Sequence, residues 1–380
     1  MTQPTGPQYP RPPQAPSYPQ PPQYPRPPQP PPPYPKQPRQ PFPPDAPPGL
    51  RAVPPPRFAA DDLDYRNAPG NRVHFTAHQR GADATALGTL ALLLPGFLLS
   101  LLVVGLLGLL LEAWLGLPYW VPPIAWVLSG ALVFHRPTED FLARYLLRLH
   151  RPLPHERDRL DPVWREVTAR SGVDGRQYQL WIQDTQDLNA YAAAGHIVAV
   201  TRFALEQLTS TQLAAVLAHE LAHHTGGHTW ASLMRYWYSL PGRAAWRVIR
   251  TVLAFAITVA GYFSWAVGAA LVCALGIVTF LTVSVLYGLP LVLLAIPYLM
   301  AALGRRAELR ADQHAAALGF APKLAEVLYA MHTTQLQARH QAAAMGKPLA
   351  EPGPLARLLA THPDFPTRLQ RLQPYLQPRR

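Results

Sequence analysis

"LAHELAHHTGGHT", residues Leu217–Thr229, sets four histidines and one glutamate in a single short stretch. On an α-helix, residues four apart share a face. His219 and His223 therefore aim two imidazoles at one point, while Glu220 is turned about 100° away. This is the HExxH spacing, in which two histidines hold Zn²⁺ and the glutamate takes a proton from the water that attacks a peptide carbonyl. A surface helix with two solvated histidines would satisfy the same letters. Zinc also needs a third protein ligand and one open position for water, so the rest of the chain has to decide.

The stretch reads as helical. Thr209 and Gln212 have the spacing of a capping box, and Leu213, Val216, Leu217 and Leu221 follow at helical period. Upstream, "YQLWIQD" (Tyr178–Asp184) and "HIVAVT" (His196–Thr201) read as short strands, with "NAYAAAG" (Asn189–Gly195) between them.

Two sources of a third ligand compete. A local one would follow the HExxHxxGxxH extension: Gly226 fits its glycine, but Thr229 stands where the histidine belongs and His228 falls one residue short. His224 is rotated off the His219/His223 face and reads as a polar or supporting histidine. A distal source is "RRAELRADQHAAALG" (Arg305–Gly319), where Glu308 and Asp312 share a helix face. Glu308 would complete a His₂Glu site and Asp312 would fix the tautomer of a ligating imidazole. The plainer alternative is a solvated helix with both carboxylates paired to Arg305 or Arg310.

Between these two stretches runs a membrane signature. Thr251–Gly304 contains no Asp, Glu, Lys, Arg or His, which is long enough for two spans and a turn, expected near Cys273–Gly276. Residues 86–111 form another uncharged run, and Leu115–Phe134 a shorter one with Pro118, Pro122 and Pro123 near its start. Soluble helices keep a polar face, and these runs have none. Arg66, Arg72 and Arg80 precede the first run, Arg136, Arg144, Arg148 and Arg151 follow the second, and further arginines flank the hairpin at 251–304. The inter-span turns carry no Lys or Arg, so both termini and the segment 135–250 are expected in the cytoplasm. This placement accounts for most of the net charge of +12, whose scattered arginines do not form the dense stripe of a nucleic-acid binder.

Residues 1–56 hold 26 of the 46 prolines in a Pro/Gln/Tyr/Arg vocabulary that cannot bury a core, so a disordered arm is expected. The arm is a solvated tether or a polyproline II recruiter of partners. The single cysteine, Cys273, leaves no intrachain disulfide and no Cys-type metal site. The first 85 residues lack the apolar core of a signal peptide, so insertion is expected to use internal segments.

The order "NAYAAAG", "LAHELAHH", a membrane hairpin, "AELRAD" and "THPDFPTRLQRL" resembles the M48 family of membrane zinc peptidases, the HtpX-like and Ste24-like group, over roughly residues 140–375. The resemblance implies that Glu308 is the third zinc ligand beside His219 and His223, that Glu220 is the general base, and that Asp312 is the aspartate of the ExxxD motif. It also implies that Asn189 aligns substrate backbone and that His362 and Arg368 touch substrate or transition state. Four spans look like the HtpX type, and the proline-rich arm is not part of the family pattern.

The reading is thus an α+β zincin-type peptidase domain, mostly helical, with about four transmembrane helices and a disordered proline-rich arm. Its expected divisions are an arm over 1–57, a juxtamembrane segment over 58–85, hairpins over 86–134 and 251–304, and peptidase parts over 135–250 and 305–380. The expected activity is zinc-dependent cleavage of membrane or misfolded proteins on the cytoplasmic side, with protein or peptide substrates and the lipid bilayer as partners and no nucleic acid. Two alternatives are a signalling protease that cleaves a cytoplasmic regulator, and a proline-rich membrane scaffold with an idle peptidase domain.

Overall fold

A computed structural model describes residues 58–67, 81–285, 293–347 and 353–377. The expected disordered arm, together with Arg72 and Arg80, lies outside the described residues. The elements run α1 (Ala84–Ala91), α2 (Leu94–Leu115), α3 (Val121–Ser129), α4 (Arg136–Phe141), β1 (Leu149–His150), α5 (Pro154–Ser171), β2 (Gln179–Gln183), β3 (Ala190–Ala193) and β4 (Ile197–Thr201). There follow α6 (Arg202–Gln207), α7 (Ser210–Thr225), α8 (His228–Phe263), α9 (Trp265–Val285), α10 (Ile296–Ala317), α11 (Ala321–Ala344), α12 (Pro354–Leu359) and α13 (Phe365–Leu376).

The small sheet has the order β1-β2-β4-β3, with β2 and β4 parallel and the two outer pairings antiparallel. Every residue of β4, "IVAVT", is buried. Its β-branched side chains serve two packed faces, which suits an uninterrupted apolar strand. Val198 and Val200 join the main core with Leu160, Val163, Leu213 and Leu217; Ile197 and Ala199 join a second cluster with Trp181 and Leu149. The stretch between the two expected strands is itself a strand, β3, at the sheet edge. Its alanines carry no β signal, so pairing with β4 decides the conformation there.

The capping box at the start of α7 is formed: Thr209 N donates to Gln212 Oε1 at 3.1 Å, and Gln212 N donates to Thr209 Oγ1 at 3.3 Å. Each such cap adds about 1 kcal/mol of helix stability. α7 is buried along most of its length and packs against α5, α10 and α11. On α10 the small residues Ala307, Ala311 and Ala315 recur every four positions and are all buried. Their size lets α10 come close to α7, which carries Glu308 and Asp312 up to the histidines. Residues 58–67 also lie on this core, with Leu63 buried in it and Ser210 N donating to the Ala60 carbonyl at 3.1 Å.

Three helical stretches are long and apolar enough to cross a membrane: Ala84–Leu115, His228–Phe263 and Trp265–Val285. A shorter apolar stretch covers Val121–Phe134. Large apolar side chains such as Leu98, Leu102, Phe255, Ile277 and Phe280 face outward, an arrangement that water would penalise and hydrocarbon would not. The hairpin turn expected near Cys273–Gly276 is not there. Those residues sit inside α9, and the chain breaks at Ser264, where the backbone becomes extended between α8 and α9. Ser264 Oγ accepts from Ala266 N at 3.2 Å, so this serine restarts the helix and marks the break that apolar length alone could not locate. α2 packs along α8, where Gly242 N donates to Ser100 Oγ at 3.0 Å and a side chain at 242 would press on that hydroxyl.

Candidate active site

α7 and α10 bring together a group that sequence spacing alone left open. His219 Nε2 and His223 Nε2 are 3.3 Å apart, with Glu308 Oε2 at 3.5 Å from the first and Glu308 Oε1 at 3.4 Å from the second. All three residues are buried. Two Zn–ligand bonds of about 2.05 Å at the tetrahedral angle separate their donor atoms by about 3.3 Å. The observed edges have that length, and two imidazole nitrogens with one carboxylate are a donor set that zinc favours. The residues present therefore fit a zinc ion, with the cleft side left for a fourth ligand.

The two arginines offered by the sequence to neutralise the α10 carboxylates are used elsewhere. Arg310 pairs with Asp83 at 2.8 Å, and Arg305 donates to the carbonyls of Leu358 (3.0 Å) and Ala360 (2.7 Å). Asp312 Oδ1 lies 2.9 Å from His219 Nδ1, the ring atom opposite the one turned to the cluster. Arg368, from α13, forks onto Asp312 through Nε (2.8 Å) and Nη2 (2.6 Å) and reaches Glu308 Oε2 at 3.7 Å. His362, in the loop before α13, brings Nδ1 to 3.1 Å of Glu308 Oε1 while most of its ring stays exposed. All of the expected site residues on α7, α10 and the 362–368 segment thus converge on one place.

Glu220, next to His219 on α7, lines the same cleft on its β3 side, where Oε2 accepts from Ala192 N at 2.8 Å. This contact is absent from the sequence reading, because nothing in "NAYAAAG" announces which amides face outward. Asn189 N and the Asn189 carbonyl both engage Thr201 on β4, so the pleat turns the alternate amide at Ala192 away from the sheet and toward α7. Asn189 and β3 line a cleft of about 1540 Å³ that also exposes Glu220, Glu308 and His362. A second unforeseen residue is Glu139 on α4. Buried, it accepts from Gly195 N and pairs with His196 Nδ1, each at 2.9 Å, and so pins the β3–β4 turn.

The electrostatics follow from burial and proximity. Burial pushes the Glu220 carboxyl up, opposed by the two histidines beside it. Burial would also raise Glu308, but hydrogen bonds from His219, His223 and His362 pull it far below the usual carboxylate range. His219 is lowered by burial and raised by Asp312 and Glu308, and the carboxylates win, taking it to about 10 in the metal-free protein. His362 is raised by its contact with Glu308.

The remaining histidines of the opening stretch have other partners. His224 Nε2 donates to the Ile197 carbonyl at 2.9 Å, so Nδ1 is the acceptor and takes the Thr229 hydroxyl at 3.2 Å. Burial lowers this neutral histidine to about 4. His228 lies tilted beside His223, with ring centroids 5.7 Å apart, and is not part of the ligand group. The Thr229 position that spoils the local motif is thus occupied by a side chain that holds His224.

Residues 154–375 match the sequence profile of peptidase family M48, from the first residue of α5 into α13 and over more than half of the chain. The chain belongs to peptidase family M48. Members of that family are generally zinc metalloproteases, in keeping with the His/Glu cluster of this M48 protein. Among solved structures it is similar to S. mikatae Ste24p, at 14% identity and a TM-score of 0.39, over 71% of this chain and 61% of that one. The M48 chain thus spans less than two thirds of that neighbour's length. No curated protein matches it.

Proposed function

We propose that the protein is an integral-membrane zinc-dependent endopeptidase that cleaves membrane or misfolded proteins on the cytoplasmic side. The observation that carries this reading is the meeting of His219, His223 and Glu308 at zinc-ligand spacing, with Glu220 beside them in an open cleft. His219, His223 and Glu308 would hold the ion. When bound, zinc supplies a Lewis acid that polarises a carbonyl and acidifies water.

The chain's own residues do the rest. Glu220 takes the proton of the attacking water and returns it to the leaving amine; the raised pKa that burial gives this carboxyl favours such exchange. Asp312 holds His219 by its far nitrogen and is itself held by Arg368, so the ligand ring keeps one tautomer and one orientation. The outer edge of β3 offers backbone groups for a substrate strand, with Asn189 at its start to align that strand. His362 and Arg368 set positive charge next to Glu308, on the side where negative charge develops on the carbonyl oxygen.

Membrane attachment fits this role, because α8 leaves the zinc helix after one short turn and continues directly into a membrane-length stretch. In this reading the short stretch Val121–Phe134 is the fourth span, and the flanking arginines support a cleft on the cytoplasmic face. The test is to supply the purified full-length protein in lipid nanodiscs with zinc and an unfolded membrane-protein fragment. Zinc-dependent cleavage at internal bonds, lost in Glu308→Ala, is expected. Release of terminal residues only, or cleavage that persists under chelation, would overturn it.

A further inference from the structure

The cleft is walled by arginines as well as by the zinc-type cluster, and their engagement differs. Arg368 is tied to Asp312 and Glu308, and Arg305 to two backbone carbonyls. Arg235, on α8, also lines the cleft, yet its Nε is buried and makes no hydrogen bond among the described residues. A guanidinium carries five donors in a planar fork suited to a carboxylate, and a buried N–H left without an acceptor is costly.

The cleft carboxylates are already committed. Glu308 faces the two histidines, Glu220 accepts from Ala192 N, and Asp364 caps α13 by accepting from Thr367 N. Further positive charge comes from Arg339 and Arg357 on the cleft wall. Among the described residues, no carboxylate pairs with Arg235.

Its position states where on a peptide a partnering anion belongs. Arg235 is seven residues past His228 on one helix, two turns or about 10 Å along the axis. His228 lies beside ligand-group His223, with ring centroids 5.7 Å apart, so at about 3.3 Å per residue Arg235 stands about three residues of extended chain from that end of the zinc-type cluster. Leu233, two positions earlier, packs on the apolar cluster that holds Ala193 and Ala194, and α8 contacts β3, so this part of α8 stands by the carboxyl end of β3. A strand added antiparallel to β3 presents its amino-terminal side there.

Building on the endopeptidase reading above, we propose that Arg235 is a specificity residue that selects an acidic side chain about three residues to the amino-terminal side of the cleaved bond. The favoured substrates are then peptides carrying Asp or Glu at that place. The alternative anion, a lipid phosphate, is an outcome of the test below.

The test uses zinc-loaded full-length protein in phosphatidylcholine nanodiscs and paired fluorogenic peptides that differ only by Glu or Gln at that position. Two readouts are taken: kcat/KM of the wild type, and fluorescence-anisotropy binding of the same peptides to the Glu220→Gln protein. A charge-assisted contact of this kind gives a preference of about ten-fold or more for Glu. Arg235→Gln should bring the Glu/Gln ratio toward one, Arg235→Glu should turn the preference to a Lys peptide, and Arg235→Lys should keep part of it. Arg247→Gln, further along the exposed part of α8, should keep all of it. Hydrolysis with no Glu preference overturns the Arg235 assignment and leaves the endopeptidase reading standing. Absent hydrolysis with the binding preference intact does the reverse. If Arg235 instead separates phosphatidylglycerol nanodiscs from neutral ones, and not Glu peptides from Gln peptides, its ligand is lipid and the proposal falls.

Discussion

Asp312→Asn changes one atom in size and one unit of charge, and the geometry states what that removes. Asp312 is 1% exposed; one oxygen lies 2.9 Å from His219 Nδ1 and the pair takes the Arg368 fork at 2.6 and 2.8 Å. An asparagine keeps Oδ1, which already serves both His219 Nδ1 and Arg368 Nη2, but it turns an N–H₂ toward Arg368 Nε and removes the negative charge that both cations face. Loss of a carboxylate behind a ligating histidine weakens metal binding by about 10- to 100-fold, or about 1.4–2.7 kcal/mol. A separate stability loss of about 1–3 kcal/mol is expected from the buried arginine left short of its partner. Zinc affinity is read by competition with a chromophoric chelator, and stability by thermal unfolding of the same preparations with excess zinc. If zinc affinity stays within about two-fold of wild type while Arg368→Gln weakens it, Asp312 does not act through His219 and the reasoning is wrong.

Glu308→Ala should lower zinc content well below one ion per chain, whereas His228→Ala should leave it unchanged, both checked by elemental analysis; the opposite pattern would restore the local third ligand. His224 adds an acid sensitivity. Its folded pKa of about 4 lies below the free value of 6.5, so the unfolded chain binds more protons between those limits and stability falls as pH drops through them. The whole shift is worth about 3 kcal/mol, of which about 2 kcal/mol is lost by pH 5. Denaturation midpoints at pH 7 and pH 5 should therefore converge in His224→Gln, and an unaltered pH slope in that variant would count against the assignment.

How much of this was legible in the sequence differs by element. α7 could be read because its cap, its apolar period and its i, i+4 histidines all report on local helical geometry. The ligand pairing with Glu308 could only be suggested, since 85 residues and two membrane-length helices separate it from His223, and the Ala307/Ala311/Ala315 face that closes the distance looks like ordinary helix composition. β3 was invisible because alanine has no strand preference; its conformation comes from β4 and its orientation from Glu220. The Ser264 break was missed for a related reason: a long uncharged run reports length for a bilayer and not where the chain turns. Arg235 is one of many scattered arginines in the sequence, and only the fold sets its orphaned Nε in the wall of the cleft.

The most direct test of the central claim compares wild type and Glu220→Gln for zinc content and for cleavage of an unfolded polypeptide in the same nanodiscs. Glu220 touches Ala192 and faces the cleft but is not in the ligand group, so both proteins should carry one zinc, while cleavage falls by about 10²- to 10⁴-fold in the variant. A Glu220→Gln protein that holds zinc and cleaves at the wild-type rate would contradict the account.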